Sequence, residues 1–134
     1  MGGTLAGNAL SAAAMRATLA HVLTPEAFEV TIPLAARFRE GVERVIASHG
    51  LDWHVTQLGC RAEYAFTAPP PRNGTEAHEA ADPQLERYLH LYALNRGVLI
   101  TPFHNMALMS PVTSEADVDL HSSLFAAAVE ELAG

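Results

Sequence analysis

The sequence has no lysine; all eight of its basic side chains are arginine. Chemistry that needs a side-chain amine, such as a Schiff base with a carbonyl cofactor, cannot be completed by the residues of this chain alone. Positive charge is scarce altogether. Eight basic residues against fifteen acidic ones give a formal net charge of -7, so neither nucleic acid nor an anionic membrane is expected as a partner. The single cysteine, Cys60, excludes an internal disulfide and suits a reducing, cytoplasmic compartment. No apolar run approaches the roughly 20 residues that span a bilayer, and no basic stretch followed by an apolar one marks a secretory leader. The seven histidines include no H-E-x-x-H or other compact ligand pair, so no metal is expected.

What is present is enough for one core: 134 residues, 49% of them hydrophobic. The most distinctive stretch is Gly3-Thr4-Leu5-Ala6-Gly7-Asn8, which runs into an alanine-rich segment. Two glycines around a hydroxyl, with an asparagine at a helix start, describe a turn that presents a helix N-terminus. Backbone N–H groups and the helix dipole there suit a phosphate, with the Thr4 hydroxyl as a further donor. The same turn also occurs as plain structure. Opening so abruptly on a Gly-Gly-Thr loop, the chain is expected to be cut from something longer.

The helix after Asn8 runs to His21, and its small residues suit a buried or interface position. Thr24-Pro25-Glu26 starts a second helix, with Phe28, Ile32, Ala35, Phe38, Val42, Val45 and Ile46 as its apolar face, a bend or break at Pro33, and Gly50 as its end. From Leu51 to Thr67 the period becomes two, which predicts two strands joined near Gly59. Residues 68–81, with Pro69-Pro70-Pro71 and Asn73-Gly74, read as a surface loop. Asp82-Pro83 begins another helix, closed by Arg96-Gly97, with Leu85, Leu89 and Tyr92 on one face. Val98 to Ile100 is expected as a short buried strand, Pro102 to Asn105 as a turn and Met106 to Met109 as a further strand. Ser114 and Asp117 form a capping box for the last helix, whose apolar face is Val118, Phe125, Val129 and Leu132.

Four segments in this order resemble one family: the Gly-Thr-x-x-Gly-Asn opening, Thr24-Pro25-Glu26, Leu94-Asn95-Arg96-Gly97-Val98-Leu99-Ile100-Thr101-Pro102, and Thr113-Ser114-Glu115-Ala116-Asp117-Val118-Asp119. Together they resemble the C-terminal part of a class III pyridoxal-phosphate aminotransferase, nearest the glutamate-1-semialdehyde 2,1-aminomutase branch. The resemblance implies an α+β fold, a small, largely antiparallel sheet covered by helices. Residues 1–23 would close a large domain and 24–134 form the C-terminal small domain. It implies pyridoxal phosphate as cofactor, an amino acid or keto acid as substrate, and a homodimer. Thr4 matches the threonine that holds the cofactor phosphate, and Gly3 matches a glycine that shapes its loop. Ala9 stands where the family commonly has proline.

Arg61, on a strand that approaches the active-site mouth in the family, either holds a substrate carboxylate or faces solvent. His104 and Asn105, in the turn after Pro102, either hydrogen-bond a substrate or satisfy their own turn. The family's catalytic lysine lies upstream of the Gly-Thr motif, so the chain alone is expected to be inactive in amino transfer. A stand-alone, non-catalytic module with the small-domain fold is the alternative, and a small binding domain that keeps only the anion turn is a third.

Overall fold

The structure, a computed structural model, describes residues 7–101 and 104–134. It is α+β. The elements in chain order are α1 (Ala9–His21), α2 (Pro25–His49), β1 (His54–Leu58), β2 (Arg61–Ala65), α3 (Gly74–Glu79), α4 (Pro83–Leu94), β3 (Met106–Leu108) and α5 (Glu115–Ala133).

Local chemistry sets most helix boundaries. Asn8, Thr24, Asp82 and Ser114 each accept a backbone N–H of the first turn of the helix they precede. Ser114 does so reciprocally with Asp117, completing the capping box. Gly50 ends α2 in the left-handed region, φ 61°, where a β-carbon would be strained.

Tertiary packing decides the rest, and several expectations change there. α1 buries none of its residues, and Leu10 stands 79% exposed. A helix expected to be buried or at an interface therefore has nothing in the described residues to cover it. α2 runs unbroken through Pro33. The proline removes one backbone donor, and burial of Leu34, Ala35 and Phe38 just beyond it offsets that loss. The inward face of α2 is Thr31, Leu34, Ala35, Phe38, Val42 and Val45, while Phe28 and Ile32 remain exposed because the buried stripe begins only at Thr31.

The sheet is antiparallel with order β1-β2-β3, so β2 is central and β3 is an edge. Alternation along β2 places Ala62 and Tyr64 in the core and Arg61, Glu63 and Ala65 on the other face. The core lies between that inner face and the helices α2, α4 and α5, and centres on Phe38, Val42, Tyr64, Phe125 and Val129. Each such side chain contributes roughly 1.5–3 kcal/mol on burial.

Two segments differ in type from expectation. Residues 68–81 include α3, nucleated by Asn73, which accepts from the Glu76 N–H, and tied by an Arg72–Glu76 ion pair. Val98 to Ile100 forms no strand. The Val98 N–H closes α4 on the Ala93 carbonyl, Ile100 turns inward, and Leu99 is 75% exposed. At the other end of the chain, Leu132 is exposed rather than part of the α5 core face. Among the described residues no helix is long and apolar enough to cross a membrane.

Candidate functional site

Gly3 and Thr4, the expected phosphate contacts, lie outside the described residues, as do Pro102 and Phe103 of the expected turn. Of the opening motif the structure describes Gly7, in the left-handed region at φ 77°, and Asn8, whose side chain accepts from the Ser11 N–H at 3.0 Å. The first turn of α1 carries no acidic residue, so the positive end of its dipole is not neutralised by its own side chains.

Two of the three expected substrate residues, Arg61 and His104, come together at a further one, Glu63. Arg61 and Glu63 sit two residues apart on the outer face of β2, and the Arg61 guanidinium pairs with Glu63 Oε2. His104 arrives from the turn before β3, whose register sets Met106 opposite Glu63. Its Nδ1 stands 3.6 Å from Glu63 Oε1. That separation is too long for a hydrogen bond. Side-chain exposures of 45% for Arg61 and 26% for Glu63 leave the guanidinium accessible with its carboxylate partner set deeper.

Asn105 contributes differently. It is buried and takes a positive φ of 41°, a conformation that asparagine tolerates better than most residues, and its carbonyl accepts from the Tyr64 N–H at 3.4 Å. It thereby fastens the His104 turn to the central strand. Glu63, His104 and Asn105 line a cleft of about 630 Å3 together with Thr56 and His54 of β1 and the segment around α3. His54 is fixed through its Nδ1 contact with the Thr67 carbonyl.

Chemically, a carboxylate and an imidazole that line the cleft, with the Arg61 guanidinium paired to that carboxylate from outside the lining, can orient a carboxylate-bearing small molecule. Sequence reasoning passed over Glu63, although the signal was present: in a period-two strand, Arg61 and Glu63 must share a face. Glu76 and Asp117 are held ionised below the usual carboxylate range, Glu76 by Arg72 and Asp117 by the Ser114 backbone, and both serve helix starts rather than this cleft.

No protein-family model matches the chain. Curated relatives do. It is 32% identical over 118 residues to glutamate-1-semialdehyde 2,1-aminomutase of Thermomicrobium roseum, covering 87% of this chain and 27% of that protein. To the enzyme of the same name from Desulforudis audaxviator it is 30% identical over 129 residues, covering 96% of this chain and 29% of the relative. The chain thus spans less than a third of the length of these relatives. Among solved structures, a glutamate-1-semialdehyde-aminomutase from Pseudomonas aeruginosa PAO1 superposes with a TM-score of 0.94 at 53% identity, over 98% of this chain and 29% of that one. An omega-transaminase from Sphaerobacter thermophilus shares the fold, with a TM-score of 0.78 at 24% identity over 100% of this chain and 30% of the other.

Proposed function

We propose that this chain, whose sequence and fold are those of a glutamate-1-semialdehyde-aminomutase-like stretch of a class III aminotransferase, is the substrate-facing C-terminal part of a pyridoxal-phosphate enzyme that moves an amino group. The transfer runs between an amino acid and a keto acid or within one substrate. The observation that carries the reading is the match to the Pseudomonas aeruginosa aminomutase over 98% of this chain, combined with an accessible arginine paired to Glu63 of the cleft wall.

The chain's own donors suit one end of the cofactor. Gly7 at positive φ leads into a helix start free of acidic residues, which suits a phosphate, and Gly3 and Thr4 are the residues proposed to hold it. Its other end needs a side-chain amine that none of the 134 residues supplies. Pyridoxal phosphate, when bound, supplies an electron sink at the carbon that carries the amino group. Arg61, positioned by Glu63, binds the substrate carboxylate, His104 adds a hydrogen-bonding group, and Asn105 holds the turn that presents it. Residues 1–23 belong to a large domain and 24–134 to the small one. The support for that boundary is that α1 buries nothing here, whereas α2 to α5 close a core without it. The exposed Leu10, Met15 and Leu19 on α1 fit a surface covered by the large domain or by the second subunit of a homodimer in the cytoplasm.

The closure of that core without α1 also favours the alternative, a stand-alone, non-catalytic module. Sequencing the DNA upstream of the Met1 codon in its native context separates the two. An open frame encoding a lysine shortly before Thr4 supports the enzyme. An in-frame stop followed by a start signal directly before Met1 overturns it and leaves the module. In the longer protein, Thr4→Ala weakens retention of pyridoxal phosphate roughly tenfold or more, the loss expected for one hydrogen bond to an anion.

A further inference from the structure

Arg61 emerges from the sheet between two leucines. The strand register sets Leu58 of β1 and Leu108 of β3 directly opposite it, one on either side, so the three side chains share the outer face. Leu58 is 80% exposed and Leu108 61%, and the core packs against the opposite face. Arg61 meets Glu63 through Nη2. A guanidinium has five N–H donors, so those on Nε and Nη1 are left for a second carboxylate.

The charge around this arginine is otherwise negative. Glu63 follows it on the same face of β2 and lines the cleft. Glu86, in the first turn of α4, lines the same cleft and has no ion-pair partner among the described residues. The guanidinium in that lining, Arg72, is engaged by Glu76 at 2.8 Å. Two arginines therefore stand against three carboxylates.

We infer that Glu63 and the flanking leucines make this site select a monocarboxylate with an uncharged, apolar chain and reject a dicarboxylate. The inference rests on the reading of Arg61 as the carboxylate contact in the proposed function, and adds which carboxylates that contact accepts. An apolar chain laid over Leu58 or Leu108 removes exposed apolar surface from water. A second carboxylate finds no free guanidinium in either direction. Over the leucines it would be desolvated without a partner, and toward the cleft it would approach Glu63 and Glu86, both of its own sign. Specificity of this kind comes as much from what repels the wrong ligand as from what holds the right one.

The test titrates the whole chain, with its arginine side chains labelled with 15N, near pH 8, above the ordinary titration range of imidazole. The probes are pentanoate and glutarate, which have the same carbon chain and differ in whether its far end is a methyl or a carboxylate. The expected result is a saturable shift of the Arg61 Nε–H signal with pentanoate, at a concentration roughly tenfold or more below that needed with glutarate. Glu63→Gln keeps the size of the side chain and removes its charge, so glutarate should bind more tightly and the two probes should come within about threefold of each other. Leu58→Ser combined with Leu108→Ser, both at exposed positions, should weaken pentanoate several-fold and leave glutarate nearly unchanged. An Arg61 shift that is saturable with both probes at equal concentration, or that favours glutarate, overturns the selection and leaves Arg61 standing as a carboxylate contact. A preference for pentanoate that survives Glu63→Gln undiminished overturns the part assigned to Glu63. No saturable Arg61 shift with either probe overturns the selection together with the carboxylate contact on which it rests.

Discussion

Gly41 of α2 lies so close to Ser122 of α5 that a β-carbon added to it would stand 2.2 Å from Ser122 Oγ and 3.0 Å from Ser122 Cβ. The missing side chain is what lets the two longest helices approach. Gly41→Ala gains roughly 1 kcal/mol of helix propensity and loses roughly 1–3 kcal/mol to overpacking, so a net loss is expected in urea unfolding. Adding Ser122→Ala removes the nearer clashing atom and should return part of it. A Gly41→Ala variant more stable than the parent would show that Ser122 rotates away freely.

His121 should set the acid limb of stability. Burial pushes its pKa from 6.5 down to about 4. The unfolded chain therefore binds a proton that the folded chain refuses anywhere between those values. Its contribution is complete above pH 6.5, falls as the pH drops, and is exhausted near pH 4, a change on the order of 3 kcal/mol. His121→Phe should flatten stability against pH in that window. An unchanged slope would place the titration on another group.

Arg61 tests the cleft. In the enzyme proposed above, Arg61→Ala should raise KM for a carboxylate substrate by roughly 10- to 100-fold, the worth of one charge-assisted hydrogen bond, with a smaller change in kcat. Glu63→Gln keeps the side chain and removes the charge, so its effect should be smaller and of the same kind. A kcat loss with KM intact would mean that Arg61 does not meet the ground-state substrate.

Asn105 carries the one positive φ recorded for a non-glycine residue among the described positions. Asn105→Gly should therefore be tolerated better than Asn105→Val, with a gap of roughly 1–3 kcal/mol in thermal or urea unfolding. Equal losses would indicate that the buried side chain, not the backbone, governs this position.

α1 should be the first element lost to protease. It buries no residue and contains Arg16, so brief trypsin treatment should cut there and leave a product that retains the unfolding transition of the α2–α5 core. Simultaneous loss of the transition would show that α1 supports the core after all.

Local chemistry was legible in the sequence because it acts over three or four residues. Thr24-Pro25, Asp82-Pro83, Gly50, Gly59 and the Ser114–Asp117 box all stand where their side chains or φ angles require. Features set by distant partners were not legible. Phe28 and Ile32 fit the helical period as well as Leu34 does, and only the position of the sheet against α2 decides which are covered. Val98 to Ile100 has strand composition but finds no strand to pair with. In the cleft, the meeting of His104 with Glu63 depends on the pairing of β3 with β2, a contact between residues about forty positions apart. Gly3 and Thr4 remain an expectation from the motif alone.

The central strand also guards its own alignment. If β2 slipped by one residue against its neighbours, Arg61 and Glu63 would enter the core and Tyr64 would face water. Two charges proposed to serve a substrate thus act as a proofreading mark for assembly, since any pairing that hides them excludes itself.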